Sequence, residues 1–390
     1  MAQSNLFVCS NSPFSAESGG QQRTKLVFEY LLSLGHVHLI CITWDTFPEQ
    51  VLPPNVTIHF WGIKEDLSIP KWRRSLELLN IFNPYIEYNK NIHYHTLTRR
   101  VLSKVNPDNV VVRYVYPLLS CGLLNQPNLI VDVDDLPIEA FGLKARFAKS
   151  QGEKFMAMYR MFHYTWHFHR NRNKFKHVFY NRPEHLGATN SSFLPNIPFN
   201  IPINALAKNF ERNDQNIAFV AALDYMPNQA GIEWFLSNVW PHILQKIPTA
   251  RLSIYGKLSQ EKIRKKWGDH KGVRVHGYVD DISEVYKDNN VIIAPIFHGS
   301  GTNIKVLEAM AFAKPCVISS FAARGLQSFL SHGENVMITD QPELFSKFIM
   351  QILKDQVLAE NLGRKGRETI LQHFSKEEFI HRLSRPFIDA

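Results

Sequence analysis

Cysteine is scarce in this chain: the 390 residues contain four, Cys9, Cys41, Cys121 and Cys316, far apart and with no CxxC pair. That excludes a small disulfide-stapled scaffold and suits a reducing cytoplasm. Long apolar runs are also missing. None approaches the roughly 18 to 20 residues that span a bilayer, and the opening MAQSNLFVCSNSP lacks a basic segment ahead of a long apolar core, so neither a membrane span nor a secretory signal is expected. The sequons at Asn55 and Asn190 are accordingly expected to stay unglycosylated. No repeat, low-complexity tract or GxxxxGK[ST] motif occurs. Acidic residues run short in one place: Lys144 to Arg182 holds ten Lys/Arg against the single acid Glu153, a net of nine that equals the charge of the whole chain. What remains is ordinary. With 45% hydrophobic and 20% charged residues, the composition is that of a folded, soluble protein of two to three domains.

Strand-length apolar runs alternate with segments of helical period, which predicts an α/β protein with parallel sheets. In the first half, 5–10, 37–42, 56–60, 109–113, 128–133 and 177–181 read as strands. Leu26, Val27, Tyr30, Leu31 and Leu34 recur at helical spacing before Gly35 stops the helix. The stretch 194–216 has linker composition, with three prolines and six asparagines. Strands then resume at 217–223, 250–256, 272–277, 290–296 and 315–320, between helices expected over 228–246, 302–313 and 342–354. Ser375-Lys376-Glu377-Glu378 reads as a capping box opening a last amphipathic helix.

The stretch NVIIAPIFHGSGTNIKVLEAMAFAKPCVISS, 290–320, carries the chemistry. A buried strand ends at Pro295, a Gly-Ser-Gly turn follows, and a helix is expected from Thr302. Backbone N–H groups and the positive end of the helix dipole would then meet at Gly299 to Asn303, a geometry suited to phosphate. Lys305 in the first turn is unfavourable by about 0.3 to 1 kcal/mol unless an anion sits nearby. Glu308, one turn further, can accept two hydrogen bonds from vicinal hydroxyls such as those of a ribose. The plainer alternative is a tight turn with Lys305 solvated and Glu308 a surface charge. A dinucleotide fingerprint does not fit, because position 304 is Ile, and Gly19-Gly20 ends a long loop.

The pattern Gly-Ser-Gly-Thr-x-x-Lys-x-x-Glu-Ala-Met-Ala, followed by Lys-Pro-Cys-Val-Ile-Ser-Ser, resembles the donor site of family 4 of the GT-B glycosyltransferases, in its glycine-rich subgroup. The segments at 19–40, 194–199, 223–235 and 276–295 resemble that family too. The resemblance implies two Rossmann-like domains facing a cleft, 1–198 for the acceptor and 199–368 for the nucleotide-sugar donor, with 369–390 as a C-terminal helix packing back on the first. It implies retaining transfer of a hexose from a UDP- or GDP-sugar to a glycan or lipid-linked acceptor, without an essential metal or other cofactor. Carried over residue by residue, Glu308 would hold the ribose, Ser300, Gly301 and Thr302 would cradle the diphosphate, and His298, Gly299, Asn303 and Lys305 would complete the donor site. Tyr278 and Val279 would touch the base, and Gly19 and Gly20 the phosphates or the acceptor. Asp134, where many members have histidine, is the catalytic candidate beside the sugar, with Lys305 and Glu308. Three departures stand out: Ser300 occupies the place of a second glutamate, Ala221-Ala222 and Asn228 replace a Gly-Arg and a lysine, and Asp134 can only accept when ionised. Lys305, or Lys257, would then neutralise the leaving diphosphate.

Two competing classes are kept open: a nucleotide-sugar binding protein without turnover, and a metal-dependent transferase using Asp132 and Asp134. Asp132 is expected to be structural. The basic segment Lys144–Arg182 is interleaved with aromatics, and its expected neighbour is an anionic membrane surface on the cytoplasmic side rather than nucleic acid. Phe155, Tyr159, Phe162 and Trp166 recur at a spacing that fits an interfacial face or a core face, and core packing is the expectation. His163, His167, His169 and His177 are read as surface residues.

Overall fold

A computed structural model describes residues 2–16, 18–47, 51–63, 82, 88–199, 201 and 215–388. The chain divides into two compact units, Met1–Pro195 with Ile380–Ala390, and Asn196–Phe379. Most of the linker-like stretch, 202–214, lies outside the described residues.

The first unit is built on a parallel sheet of β1 (Gln3–Cys9), β2 (Gly35–Cys41), β3 (Val56–Trp61), β4 (Asn109–Arg113), β5 (Leu129–Val133), β6 (His177–Tyr180) and β7 (Ser191–Phe193), in the order β3-β2-β1-β4-β5-β6-β7. β1, β4 and β5 are apolar on both faces because helices cover both. Leu6, Val8, Val110, Val112, Val131 and Val133 share one core with Leu118, Tyr164 and Phe168. The short strand β7 has no apolar run to announce it.

The helix Gln151–Asn171 buries Ala157, His163, Tyr164, His167 and Phe168. The aromatic stripe expected in the core lies elsewhere: Phe155, Phe162 and Trp166 are exposed, and only Tyr159 packs partly against the core. The reason is the phase of the helix. Its sheet-facing stripe passes through 157, 164 and 168, and residues 155, 162 and 166 fall on the opposite side. The same phase overturns the reading of His163 and His167 as surface residues, since both are buried.

The second unit has the sheet β8 (Asn216–Val220), β9 (Arg251–Tyr255), β10 (Val273–Gly277), β11 (Val291–Ala294), β12 (Cys316–Ile318) and β13 (Met337–Ile338), ordered β10-β9-β8-β11-β12-β13 and parallel throughout. The order reverses between β8 and β11, and a crevice at the carboxyl ends of these strands is where such sheets bind ligands. The helix expected over 228–246 is two, Met226–Asn238 and Trp240–Lys246, because Pro241 removes an N–H and blocks a continuous ladder. Gly231 lets the first of them close on the exit of β11: a Cβ there would collide with the Pro295 carbonyl oxygen. In the last helix, Lys376–Ile388, the Glu378 N–H donates to Ser375 Oγ at 3.2 Å, and Phe387 packs edge-on against Tyr30 of the first unit's own set of residues.

Candidate functional site

The chain leaves β11 at Ala294 and enters the helix Ile304–Ala311 with Asn303 as its N-cap, two residues later than the expected start at Thr302. Asn303 makes no side-chain cap bond to the helix backbone: its Nδ2 donates to the Ala322 carbonyl at 3.2 Å and its Oδ1 accepts from Lys305 Nζ at 3.5 Å. The Thr302 hydroxyl is buried without a protein partner, so the loop leading into the helix keeps a donor for a ligand. Gly299 sits at φ +154 beside the Phe321 ring and the Tyr225 hydroxyl, and His298 meets Phe321 edge-on. Lys305 does not reach bulk water as a free ammonium: its Nζ donates to Asn228 Oδ1 at 2.8 Å. Asn228 comes from the first turn after β8 and Lys305 from the first turn after β11, so the two strands of the switch point each supply one member of this pair.

Glu308 is no surface charge. Burial pushes its carboxyl up to about 7, against the Phe199 N–H, the Lys305 cation and the Tyr286 hydroxyl, which favour ionisation. Burial likewise pulls Lys305 down to about 8, against the pull of Glu308. The Tyr286 hydroxyl, itself buried and raised first by burial and then by Glu308, couples to that carboxylate without closing a hydrogen bond of normal geometry. A carboxylate and an ammonium are thus held one helical turn apart with less solvation than either needs, which is the condition of a site that gains by binding polar ligands. Tyr278 is exposed just past the end of β10, and Val279 is half-buried beside it. Lys257 is exposed beyond β9 and interacts with Asp224.

In the first unit, Ser18 caps the helix Gly19–Leu34 through a reciprocal capping box with Gln21, so Gly19 and Gly20 form its first turn rather than the end of a loop. A Cβ on Gly20 would lie 2.7 Å from the Tyr114 hydroxyl and 2.8 Å from Asn11 Nδ2. Those two side chains are bonded to each other at 3.0 Å, and the Tyr114 hydroxyl donates to Asp134 Oδ2 at 3.3 Å. Asp134 also accepts from Arg113 at 3.0 Å and from Asn181 at 2.9 Å. Gly20 and Asp134 are therefore brought together through Tyr114, whose backbone stands at φ +70 and ψ 154, a region costly for any side chain. Asp132 is gripped by Arg23 at 2.6 Å and by Arg113 at 2.9 Å. Both of its oxygens are thus already met by guanidinium groups. Among the described residues no group of three or more His, Cys, Asp or Glu side chains is arranged to hold a metal ion.

Reasoning from the sequence missed Asn11, Tyr114, Asn181 and Tyr286. The first three stand just past β1, β4 and β6, where parallel sheets place functional side chains, so strand ends were the available signal. Tyr286 had none, since it reaches Glu308 from a separate helix, Ile282–Asp288.

The family model described as glycosyl transferases group 1 matches residues 214–355. An uncharacterized 44.6 kDa protein in the cps region of Klebsiella pneumoniae is 22% identical over 367 residues, covering 90% of this chain and 91% of that one. The lipopolysaccharide core biosynthesis glycosyltransferase LpsE of Rhizobium meliloti is 33% identical over 107 residues, 27% of this chain and 31% of that protein. Among solved structures, sucrose-phosphate synthase from Thermosynechococcus elongatus superposes with a TM-score of 0.69 at 16% identity, over 99% of both chains. Anabaena HepE in complex with UDP and glucose gives 0.62 at 13% identity, again over 99% of both. S. aureus TarM, solved with UDP, gives 0.56 at 16% identity over 75% of this chain, which spans 58% of the TarM chain. The family match lies within the second unit, and the solved structures, at 13 to 16% identity, agree with this chain in fold, the GT-B kind.

Proposed function

We propose that the protein is a retaining hexosyltransferase, akin to family 4 and its glycine-rich subgroup, that uses a UDP- or GDP-sugar and acts on a glycan or lipid-linked acceptor in cell-surface polysaccharide or lipopolysaccharide assembly. The observation that carries the reading is the Lys305–Glu308 pair at the switch point of the second unit, both groups pulled from their ordinary pKa toward neutrality by burial. Glu308 holds the ribose hydroxyls. Ser300, Gly301 and the unpartnered Thr302 hydroxyl cradle the diphosphate, and Tyr278 and Val279 lie against the base. Lys305, aligned by Asn228, neutralises the charge that develops as the nucleoside diphosphate departs. The acceptor then attacks from the side the leaving group vacates, and Asp134, fixed by Arg113 and Asn181, positions the sugar. No metal is needed where a cation and a helix start already face the phosphates. The names of the cps-region and lipopolysaccharide relatives support the pathway class, and the UDP complexes of HepE and TarM support the donor class. The place of action is the cytoplasmic side of the membrane, where the protein binds peripherally.

Ser300 in the place of a second carboxylate, with Asn228 where a lysine would stand, favours one other reading, a binding protein without turnover. A panel of nucleotide sugars separates them, read by thermal shift and slow donor hydrolysis with added chelator and with Glu308→Ala. Stabilisation and chelator-resistant hydrolysis by one donor, both abolished in the variant, is the expected result. A shift without turnover, even with membrane glycolipids present, sinks the transferase reading.

A further inference from the structure

The helical hairpin Pro137–Arg146 and Gln151–Asn171 of the first unit presents an outward row of large apolar side chains. Phe155 is 66% exposed, Phe162 55%, Met158 49% and Trp166 46%. Residues 155, 158, 162 and 166 fall three, four and four apart, one stripe along three turns of helix. Phe162 and Trp166 stack with ring centroids 6.1 Å apart, and Ile138 of the neighbouring helix, 50% exposed, lines the same hollow with Met161 and Arg170. Single exposed apolar residues need no explanation, whereas a contiguous row marks a surface that meets something. The charge around the row says what. Between Pro137 and Lys174 lie eight Lys and Arg against two Glu, and one of these, Glu139, is already bonded to Arg182. Arg146, Lys149, Lys154 and Arg170 are exposed on the hairpin. The cations crowd one another: burial first, and then the charge of Arg160, pulls Lys144 below the ordinary lysine value, a penalty that an anionic neighbour would lift.

We propose that this hairpin is a membrane-docking element, in which Phe155, Met158, Phe162 and Trp166 enter the interfacial layer of an anionic bilayer while the surrounding lysines and arginines hold lipid phosphates. A helix lying in the interface with aromatics on one side and cations beside them is a recognised solution to reversible attachment. Aromatic rings suit headgroup depth, and arginine and lysine stems reach from the apolar zone to the phosphates. The idea rests on the lipid-linked acceptor of the transferase reading: a protein whose acceptor is fixed in a membrane gains by sharing that surface.

The test uses the full chain and vesicles of phosphatidylglycerol with phosphatidylcholine, against vesicles of phosphatidylcholine alone. Wild type should sediment with the anionic vesicles, and binding should weaken as salt is raised, by about fivefold for each basic side chain screened from the lipid phosphates. Two variants divide the surface. The triple exchange Phe155→Ser, Phe162→Ser and Trp166→Ser should weaken anionic binding by about tenfold or more and leave a remainder that salt abolishes; Lys149→Glu with Lys154→Glu should remove the preference for anionic lipid. All five side chains are exposed, and an unchanged thermal unfolding midpoint and far-ultraviolet circular dichroism spectrum show that each variant is folded. Absence of binding by wild type, or equal binding by wild type and the triple variant, overturns the proposal. Vesicle binding by a protein that hydrolyses no donor would instead uphold docking and fail the transferase reading.

Discussion

In the first unit, Asp132 and Asp134 lie among Arg23, Arg113, Asn181 and Tyr114, and two positive charges answer two negative ones inside 3.3 Å. Burial works against the Arg113 charge, and Tyr114 and the two carboxylates more than reverse it, so its pKa rises. In the second unit, Glu308 and Lys305 are also drawn out of water, but burial wins: the acid goes up and the base goes down. The same residue types therefore reach opposite states. Where every charge has partners of good geometry the carboxylates are held rigid before any ligand arrives, and where burial outweighs the partners the cluster gains by binding one.

The sharpest way to break this contrast is to remove one cation from each cluster. Arg113→Ala leaves Asp132 and Asp134 buried with half their partners, and should cost about 3–5 kcal/mol in denaturant unfolding. Lys305→Met removes a cation that burial already disfavours and should change stability by less than about 1 kcal/mol while abolishing turnover. Comparable losses of stability in both variants would show that the second cluster is framework as well.

A pH profile sharpens the same point. On the transferase reading proposed above, donor binding needs Glu308 ionised and Lys305 protonated. With Glu308 at about 7 and Lys305 at about 8, affinity for the nucleotide sugar identified in the panel should peak between those values and fall on either side, by about tenfold per pH unit once well outside the window. Titration calorimetry from about pH 5 to about pH 10 reads both limbs. Glu308→Gln should erase the acid limb and Lys305→Arg should move the alkaline limb beyond the range; a flat profile in wild type contradicts the assignment.

The strands of both sheets and the loop before Ile304 are legible in the sequence because each depends on local pattern: apolar runs flanked by Gly, Pro and Asn. Lys305 and Glu308 are legible for a similar reason, three residues apart on one helix. The Asp134 network is not, since Asn11, Tyr114 and Asn181 stand 123, 20 and 47 residues from it in the chain and meet only after strand pairing. The exposed row of 155, 162 and 166 escapes a sequence reading for a physical reason. The periodicity of an apolar stripe gives the face of a helix but not which face turns to the sheet, and this helix has apolar residues on both. The helix Gln356–His373 is hidden because two of its five buried positions, Gly363 and Gly366, are glycines that break the apolar period between Leu362 and Ile370.

The smallest expected effect is on stability and has a definite sign. The Glu308 pKa is raised in the folded state, so the folded protein holds a proton that the unfolded chain gives up. The penalty on the fold is absent below about 4.5, grows as the unfolded chain ionises, and is complete once pH passes about 7. Glu308→Gln keeps an oxygen for the Phe199 N–H and removes the charge. It should therefore raise stability at about pH 8 by something on the order of 1–2 kcal/mol and leave it unchanged near pH 4, while donor affinity falls. Denaturant unfolding of both proteins at the two pH values decides it. A gain on the alkaline side alone means the carboxylate is kept for the ligand at the expense of the fold; no gain there means Glu308 is as well satisfied as Asp132, and the difference between the two clusters disappears.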